Sequence, residues 1–365
     1  MSTRSLSSLS LGRRQFLGSL AAGSGVVVLG RWAGAAEPAA RRSRMGLASD
    51  CWHIHDRAQA KKGQKSDLSD PQLFLERCYR LGAGGMQMPL GVRDEAYCSA
   101  LRRWADSHEM FIEGSANLAG SKFDIDRFEK ELLTARAAGA TVVRTVTIPG
   151  RRYEQFSSAD EFARASQHAL ETLQRVERLL VKQKMRLAVE NHKDHRVEER
   201  LAFMKRLSSE WIGMCVDTGN SFALCEDPMD VVRAYAPFAF SVHVRDHAVQ
   251  AYDDGFLFGE TALGQGFLDV PAMVRVLREA RPEVHVNLEV IARDPLRVPV
   301  LTPKYWATMP AVPALDLART IRTVKAKTPR EPLPSINSLS VEQQVACEQR
   351  MVEDSLAYAR EHLGL

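Results

Sequence analysis

The chain has 365 residues, 45% of them apolar and 26% charged, with 23 Gly and 16 Pro, a composition that excludes a disordered, collagen-like or coiled-coil protein. Its formal charge of +4 comes from 49 Lys+Arg against 45 Asp+Glu, but Arg4, Arg13, Arg14 and Arg31 lie in an acid-free N-terminal stretch. Without residues 1–35, bases and acids balance at 45 each, so the remainder has no net field to draw nucleic acid or anionic lipid.

Residues 1–35 read as an export signal. Gly12-Arg13-Arg14-Gln15-Phe16-Leu17 is a twin-arginine motif, Phe16 to Gly30 is a weakly apolar run, and Ala33-Gly34-Ala35 offers small residues to a signal peptidase. Four glycines and two serines make that run a poor bilayer span. The expectation is a periplasmic protein, exported folded by the twin-arginine route and without a stable membrane anchor after cleavage. Cys51, Cys78, Cys98, Cys215, Cys225 and Cys347 form no C-x-x-C pair, which argues against zinc-finger and thioredoxin chemistry. An oxidising compartment permits disulfides without saying which form.

Beyond the leader, short apolar runs alternate with helical patterns. Strands are predicted near 45–50, 84–89, 110–114, 141–147, 185–190, 211–217, 239–244 and 284–290. Helices are predicted near 71–81, 93–108, 124–138, 159–183, 196–208, 228–236 and 270–280. The spacing of Phe162, Leu170, Leu173, Val176 and Leu180 marks one helical face, with Asp160 and Glu161 in the first turn. Pro228 and Pro271 stand where first helical turns are expected. Eight β/α units point to an α/β protein, a (β/α)8 TIM barrel over residues 45–327. Residues 328–365 then form a Pro-rich linker and a helix over 340–362, opened by Ser340 with Glu342 and Gln343 in its first turn. That helix is expected to pack on its own barrel, the alternative being a contact within a homo-oligomer.

The later strands end alike. In Leu187-Ala188-Val189-Glu190, in Met214-Cys215-Val216-Asp217, in Val242-His243-Val244 and in Val286-Asn287-Leu288-Glu289, apolar residues alternate with a polar residue in the opposite phase. Strand side chains alternate with period two, and the branched apolar face of a barrel strand meets the helices. Glu190, Asp217, His243 and Glu289 therefore converge on the axis at the C-terminal mouth, where barrel active sites lie. Three carboxylates aimed at one point need a compensating cation. Three oxygens and one imidazole suit one divalent ion such as Mn²⁺, Mg²⁺ or Co²⁺, with Zn²⁺ also accommodated.

Each of the four has polar company: Glu190-Asn191-His192-Lys193-Asp194-His195, Asp217-Thr218-Gly219-Asn220, His243-Val244-Arg245-Asp246 and, past Glu289, Arg293-Asp294. His192, Asn220, Arg245, Asp246 and Arg293 are the expected substrate contacts there. Near the early strand ends stand His53, His55, Gln87, Glu113, Asn117 and Arg144. His53 is expected at the rim, and Trp52, Tyr305 and Trp306 are candidates to stack on a sugar face.

These residues carry a resemblance to the xylose-isomerase-like TIM barrels, the superfamily of sugar isomerases and epimerases that also contains endonuclease IV. It spans roughly residues 45–310. The Glu…Asp…His…Glu series, with intervals of 27, 26 and 46 residues, is similar to the single-metal site of the ketose 3-epimerase branch. Glu190-Asn191-His192-Lys193-Asp194, Asp217-Thr218-Gly219-Asn220 and Tyr305-Trp306 resemble a subgroup that is often exported. The resemblance implies metal ligands at Glu190, Asp217, His243 and Glu289, with Glu190 and Glu289 doubling as acid and base.

The expected activity is that of a metal-dependent isomerase or epimerase on a small carbohydrate, by proton abstraction beside a carbonyl through a metal-stabilised enediolate. Two rivals stand beside it. A lyase or hydratase on a 3-keto sugar or glycoside would use the same intermediate, whereas a non-catalytic sugar-binding barrel would not need both glutamates. An endonuclease-IV-like phosphodiesterase needs a three-metal cluster and a basic groove, which the charge balance disfavours.

Overall fold

A computed structural model describes residues 42–118 and 124–365 of the chain. The export signal over 1–35 lies outside the described residues. Eight parallel strands close a barrel: β1 (Gly46–Ala48), β2 (Gly85–Met88), β3 (Phe111–Ser115), β4 (Val142–Thr145), β5 (Arg186–Glu190), β6 (Ile212–Asp217), β7 (Ala239–Val244) and, after a hairpin, β10 (His285–Leu288). Each pairs with its predecessor in the barrel, and β10 returns to β1 through Gly46 opposite Asn287. The predicted strands are all present, most of them trimmed by a residue or two at the ends.

The helices between them are α1 (His53–Lys61) and α2 (Pro71–Arg80) after β1, α3 (Glu95–Ser107), α4 (Ile125–Ala137), α5 (Arg152–Gln155) with α6 (Ala159–Gln183), α7 (Val197–Leu207), α8 (Pro228–Tyr235) and α9 (Val270–Ala280). Their starts follow the sequence closely. Ser158, Asp227 and Asp269 each accept a backbone N–H at an N-cap, and Pro228 and Pro271 occupy first turns. Leu170, Leu173, Val176 and Leu180 of α6 are wholly buried in the core cluster that also holds Leu187, Val189, Met214, Val216, Val242 and Val244. The apolar phase of each strand thus faces the helices, which leaves the other phase to the barrel axis.

The floor of the barrel is packed tightly. Phe111 stacks on His285 with ring centroids 3.9 Å apart. Room for that ring exists because Gly46 and Gly85 carry no side chain: a Cβ at either would come within 2.5 Å of it. Above the ring, Glu113 accepts from Gln87 Nε2 (2.9 Å), Ser241 Oγ (2.7 Å) and Asn287 Nδ2 (2.9 Å).

One feature, a hairpin sheet, departs from the expected outline, while the expected helical C-terminal extension is present. Between β7 and α9 the chain forms a hairpin, β8 (Asp246–Tyr252) and β9 (Gly255–Thr261), joined by β11 (Leu296–Val298) in a separate three-stranded sheet. Val249, Phe256, Phe258, Val298 and Val300 build a second core under it with Phe222 and Tyr305. The C-terminal extension is helical: α10 (Pro303–Trp306), α11 (Ala314–Lys327) and α12 (Val341–Tyr358). Ser340 and Gln343 form a reciprocal cap at the start of α12. Val352 and Leu356 enter the main core, and Glu348 accepts the backbone N–H groups of Ile54 (2.8 Å) and His55 (2.9 Å). The tail thus packs on its own barrel, against α1. The six cysteines are unpaired, and among the described residues no helix is long and apolar enough to cross a membrane.

Candidate active site

Glu190 and Asp217 are the last residues of β5 and β6, His243 is next to last in β7, and Glu289 follows β10. Register places Asp217 beside His243 and His243 beside Asn287, so all four side chains point inward at the C-terminal ends of the strands. One ligating atom from each lies within 4.8 Å of the other three. All four residues are buried, the most exposed being Glu289 at 3%. This Glu/Asp/His cluster could hold a metal ion; its chemistry fits a hard divalent cation.

The imidazole is held in a definite sense. Gln87 Nε2 donates to Glu113, so Gln87 Oε1 faces His243 Nε2 at 2.7 Å and accepts its proton. That leaves Nδ1 towards the carboxylates, 2.7 Å from Glu289 Oε2 and 3.5 Å from Glu190 Oε2. An outer partner of this kind fixes ring orientation and tautomer at metal sites. His243 Nδ1 and Asp217 Oδ2 are buried and paired only by charge, with Glu289 Oε2 at 2.7 Å and Arg245 Nε at 2.6 Å, without a hydrogen bond of good geometry.

Three carboxylates meet here, and arginines share their charge. Arg144, on β4, is ion-paired with Glu190 through Nε (2.7 Å) and Nη2. Arg245 reaches Asp217 through Nε (2.6 Å), Glu260 through Nη1 (3.0 Å) and Glu289 through Nη2. Arg293 Nη2 adds a second contact on Glu260 at 2.6 Å. Burial pushes each carboxyl up, but Arg144 holds Glu190 below its ordinary value, and Arg245 with His243 holds Glu289 well below it. Asp217 stays raised, because burial and the charges of Glu190 and Glu289 outweigh Arg245. Burial also opposes an imidazolium at His243, yet Cys215, Glu289 and Glu190 hold it well above its usual value.

The loops after these strands are fastened to the site. Asp217 Oδ1 accepts from the backbone N–H of Gly219 and Asn220, each at 2.8 Å. Asn220 Nδ2 then reaches Glu190 Oε1 at 3.2 Å, and its Oδ1 takes the ammonium of Lys193. Burial, with Arg245 and Arg293 nearby, lowers Lys193 to about 8. His192 Nδ1 contacts Gly150 O at 2.8 Å, and burial lowers this imidazole to about 4. The structure therefore gathers Asn220, His192, Arg245 and Arg293 around the quartet.

Other predicted contacts go elsewhere. Asp246 accepts four backbone N–H groups, from His247, Gly264, Gly266 and Leu268 at 2.8–3.1 Å. It ties down the loop before α9, and a Cβ on Gly266 would sit 2.1 Å from its Oδ1. Trp52 is 1% exposed, with the Arg77 guanidinium 3.8 Å from its ring centroid. Tyr305 and Trp306 donate to the carbonyls of Ala223 and Val300 inside the hairpin core. These aromatic rings pack rather than line the mouth. His53 lies on α1, not at a strand end, with Nδ1 3.4 Å from Glu348 of α12.

Sequence reasoning passed over Asp50, Lys193 and Glu260. Asp50 lies in the 3-10 turn Ser49–Trp52 that follows β1, beyond the reach of strand alternation. It lines a 620 Å³ cavity at the barrel mouth with Arg144, Ser49, Ser115 and Asn117. Glu260 lies at the end of β9, and its part in the site needed the hairpin to be known.

A second buried pair supports the loop from behind. Asp194 Oδ2 lies 2.6 Å from Arg200 Nη2 and 3.1 Å from His195 Nδ1. Burial works against this carboxylate, but Arg200 and His195 hold it below its ordinary value. A carboxyl depressed on folding adds stability above its unfolded pKa of about 3.9 and loses it as pH falls. Asp194→Asn leaves the Arg200 charge buried and should cost ~3–5 kcal/mol near neutral pH. Urea unfolding between about pH 3 and 6 should show a shallower acid limb in that variant; an unchanged limb removes Asp194 from the acid response.

Comparison with known proteins gives a consistent picture. A family model described as "Xylose isomerase-like TIM barrel" matches residues 75–306. A curated relative, 3-oxo-isoapionate decarboxylase from Pectobacterium atrosepticum, is 26% identical over 223 residues, covering 59% of this chain and 76% of the relative. Among solved structures, D-psicose 3-epimerase from Clostridium cellulolyticum H10, crystallised with D-tagatose, has a TM-score of 0.55. It is 11% identical, over 88% of this chain and 99% of that one. A xylose isomerase-like barrel from Mycobacterium smegmatis in complex with magnesium has a TM-score of 0.51 and 16% identity, over 77% of this chain and 98% of the other.

Proposed function

The chain belongs to the xylose isomerase-like TIM barrel family, and from that premise we propose that it is a divalent-metal-dependent sugar isomerase or epimerase. One observation carries the reading: Glu190 and Glu289, from non-adjacent strands, meet at one buried point with Asp217 and His243. Glu190, Asp217, His243 and Glu289 would hold the ion, and three hard oxygens with one imidazole favour Mn²⁺, Mg²⁺ or Co²⁺. When bound, such a cation supplies the charge that makes a C–H beside a carbonyl acidic.

The protein's own groups do the rest. One glutamate removes the proton and the other returns it from the opposite side. Return to the opposite face of the same carbon inverts it, whereas return to the neighbouring carbon exchanges aldose and ketose. Their partners orient both carboxyl groups, Arg144 and Asn220 on Glu190, Arg245 and His243 on Glu289, and the one that removes the proton enters the step ionised while the one that delivers a proton enters it protonated. Lys193, His192 and Arg293, beside the quartet, would bind the hydroxyls of a small carbohydrate. Export through the twin-arginine motif at Arg13-Arg14 would place this activity in the periplasm.

A lyase reading has separate support, because the curated relative is named as a decarboxylase. Cleaving a C–C bond to a carboxylate β to a ketone leaves its electron pair on the carbon beside the carbonyl, as proton removal does. The products are CO₂ and a carbanion, which takes its proton from a glutamate that enters the step protonated. The test is to incubate metal-loaded protein in D₂O with ketoses, 3-keto-glycosides and 3-keto acids, read by NMR. Deuterium beside the carbonyl with an inverted or isomerised product supports the first reading. Release of CO₂ or of an eliminated group supports the second. No exchange and no product from any of them contradicts both.

A further inference from the structure

We propose that Asp50 selects the substrate, taking a pair of hydroxyls from an uncharged sugar and turning away sugar acids and sugar phosphates; this rests on the isomerase or epimerase reading above. The way Asp50 is held comes first. It lies in the turn Ser49–Trp52 directly after β1, and β1 pairs with β10, the strand that Glu289 follows. Cys51, next in the turn and wholly buried, grips the chain on both sides of that glutamate. Its thiol donates to Leu288 O at 3.3 Å and accepts from the Val290 N–H at 3.4 Å. The turn is therefore pinned at the rim of the quartet. There Glu289, Arg144, His243 and Glu190 all act electrostatically on the Asp50 carboxylate. A binding group fixed by its neighbours in this way loses little freedom when a ligand arrives.

The cavity wall shows which charge is left unmet. Asp50 shares the lining of the 620 Å³ mouth cavity with Asp124, Arg127, Glu131 and Arg144. Each of the other four is already engaged. Arg127 holds Glu131 at 2.8 Å, and Arg144 holds Glu190 through Nε at 2.7 Å. Asp124 accepts the backbone N–H groups of Asp126 and Arg127 at the start of α4. Asp50 is exposed, and among the described residues its carboxylate makes no hydrogen bond or ion pair. The uncommitted charge on the wall is thus negative. A carboxylate accepts through both oxygens, which matches two neighbouring hydroxyls of a sugar. A substrate carboxylate or phosphate would instead meet like charge, with no free cation on that wall to offset it. Asp50 is a specificity-determining residue, distinct from the proton-transferring pair.

The test uses the Mn²⁺-loaded full chain at mildly alkaline pH, with metal content measured before and after, and titrates D-glucose against D-glucuronate by calorimetry. The two sugars share a ring and differ by one carboxylate. Glucose should bind at least about tenfold tighter, the direction set by like-charge repulsion. Asp50→Ala should weaken glucose by about 10- to 100-fold, the loss expected for hydrogen bonds to a charged group. Asp50→Asn, which keeps the shape but not the charge, should bring glucuronate up to the affinity of glucose. A merely structural role would weaken both sugars together and leave their ratio unchanged. Glucuronate bound as tightly as glucose by the unaltered protein, or a glucose preference that survives in Asp50→Asn, overturns the inference and leaves the proposed function standing. A chain that retains no metal overturns both.

Discussion

Glu289→Gln and Glu190→Gln should each lower turnover by about 10²- to 10⁴-fold, the range lost when a positioned acid or base is removed. Glutamine keeps the shape and one carbonyl oxygen but cannot carry a proton at neutral pH. The effects should differ in kind. Glu289 is held by Arg245 and by His243 Nδ1 at 2.7 Å, so its replacement disturbs the imidazole and lowers metal retention as well. Glu190 is held by Arg144 and Asn220, so its replacement chiefly leaves Arg144 without its counter-charge. Turnover must therefore be expressed per metal ion bound, with deuterium exchange followed separately. Full activity per metal in either variant removes that glutamate from proton transfer.

The parts of this site that the sequence reveals follow a local rule. Period-two alternation in short apolar strands shows which side chains share a face, and Glu190, Asp217, His243 and Glu289 each break an apolar run in the inward phase. The helices are legible for the same reason, as the match over Ala159–Gln183 shows. What escapes is whatever depends on partners distant in the chain. Arg144 is visible near a strand end, but its pairing with Glu190 needs β4 to neighbour β5. Asp246 looks like a site residue from its place beside His243, yet the loop at Gly264–Leu268 folds back and takes both its oxygens. The hairpin did carry a local signal: Asp253-Asp254-Gly255 between the alternating runs around Val249 and Phe256-Leu257-Phe258. His53-Ile54-His55 misleads in the opposite sense, since its i, i+2 spacing suggests a strand end where the chain has entered α1.

Arg245→Met should be the most destabilising single change in the site, and its size should depend on whether metal is bound. Arg245 is 2% exposed and divides its three charged contacts among Asp217, Glu260 and Glu289. Methionine fills much of the volume without charge, so the loss is electrostatic. Removing one member of a buried ion pair costs ~3–5 kcal/mol, and here one cation serves three anions. A divalent ion in the quartet would neutralise two of those three, Asp217 and Glu289, and leave only Glu260, which Arg293 also holds at 2.6 Å. Metal also stabilises whatever binds it, by about 2.7 kcal/mol at a hundred times its Kd. In urea unfolding, Arg245→Met should therefore lose most of its stability with a chelator present and regain a larger share on adding Mn²⁺ than the unaltered protein gains. If the loss is the same with and without metal, the dication and Arg245 do not neutralise the same carboxylates, and a metal seat among Glu190, Asp217, His243 and Glu289 loses its electrostatic rationale.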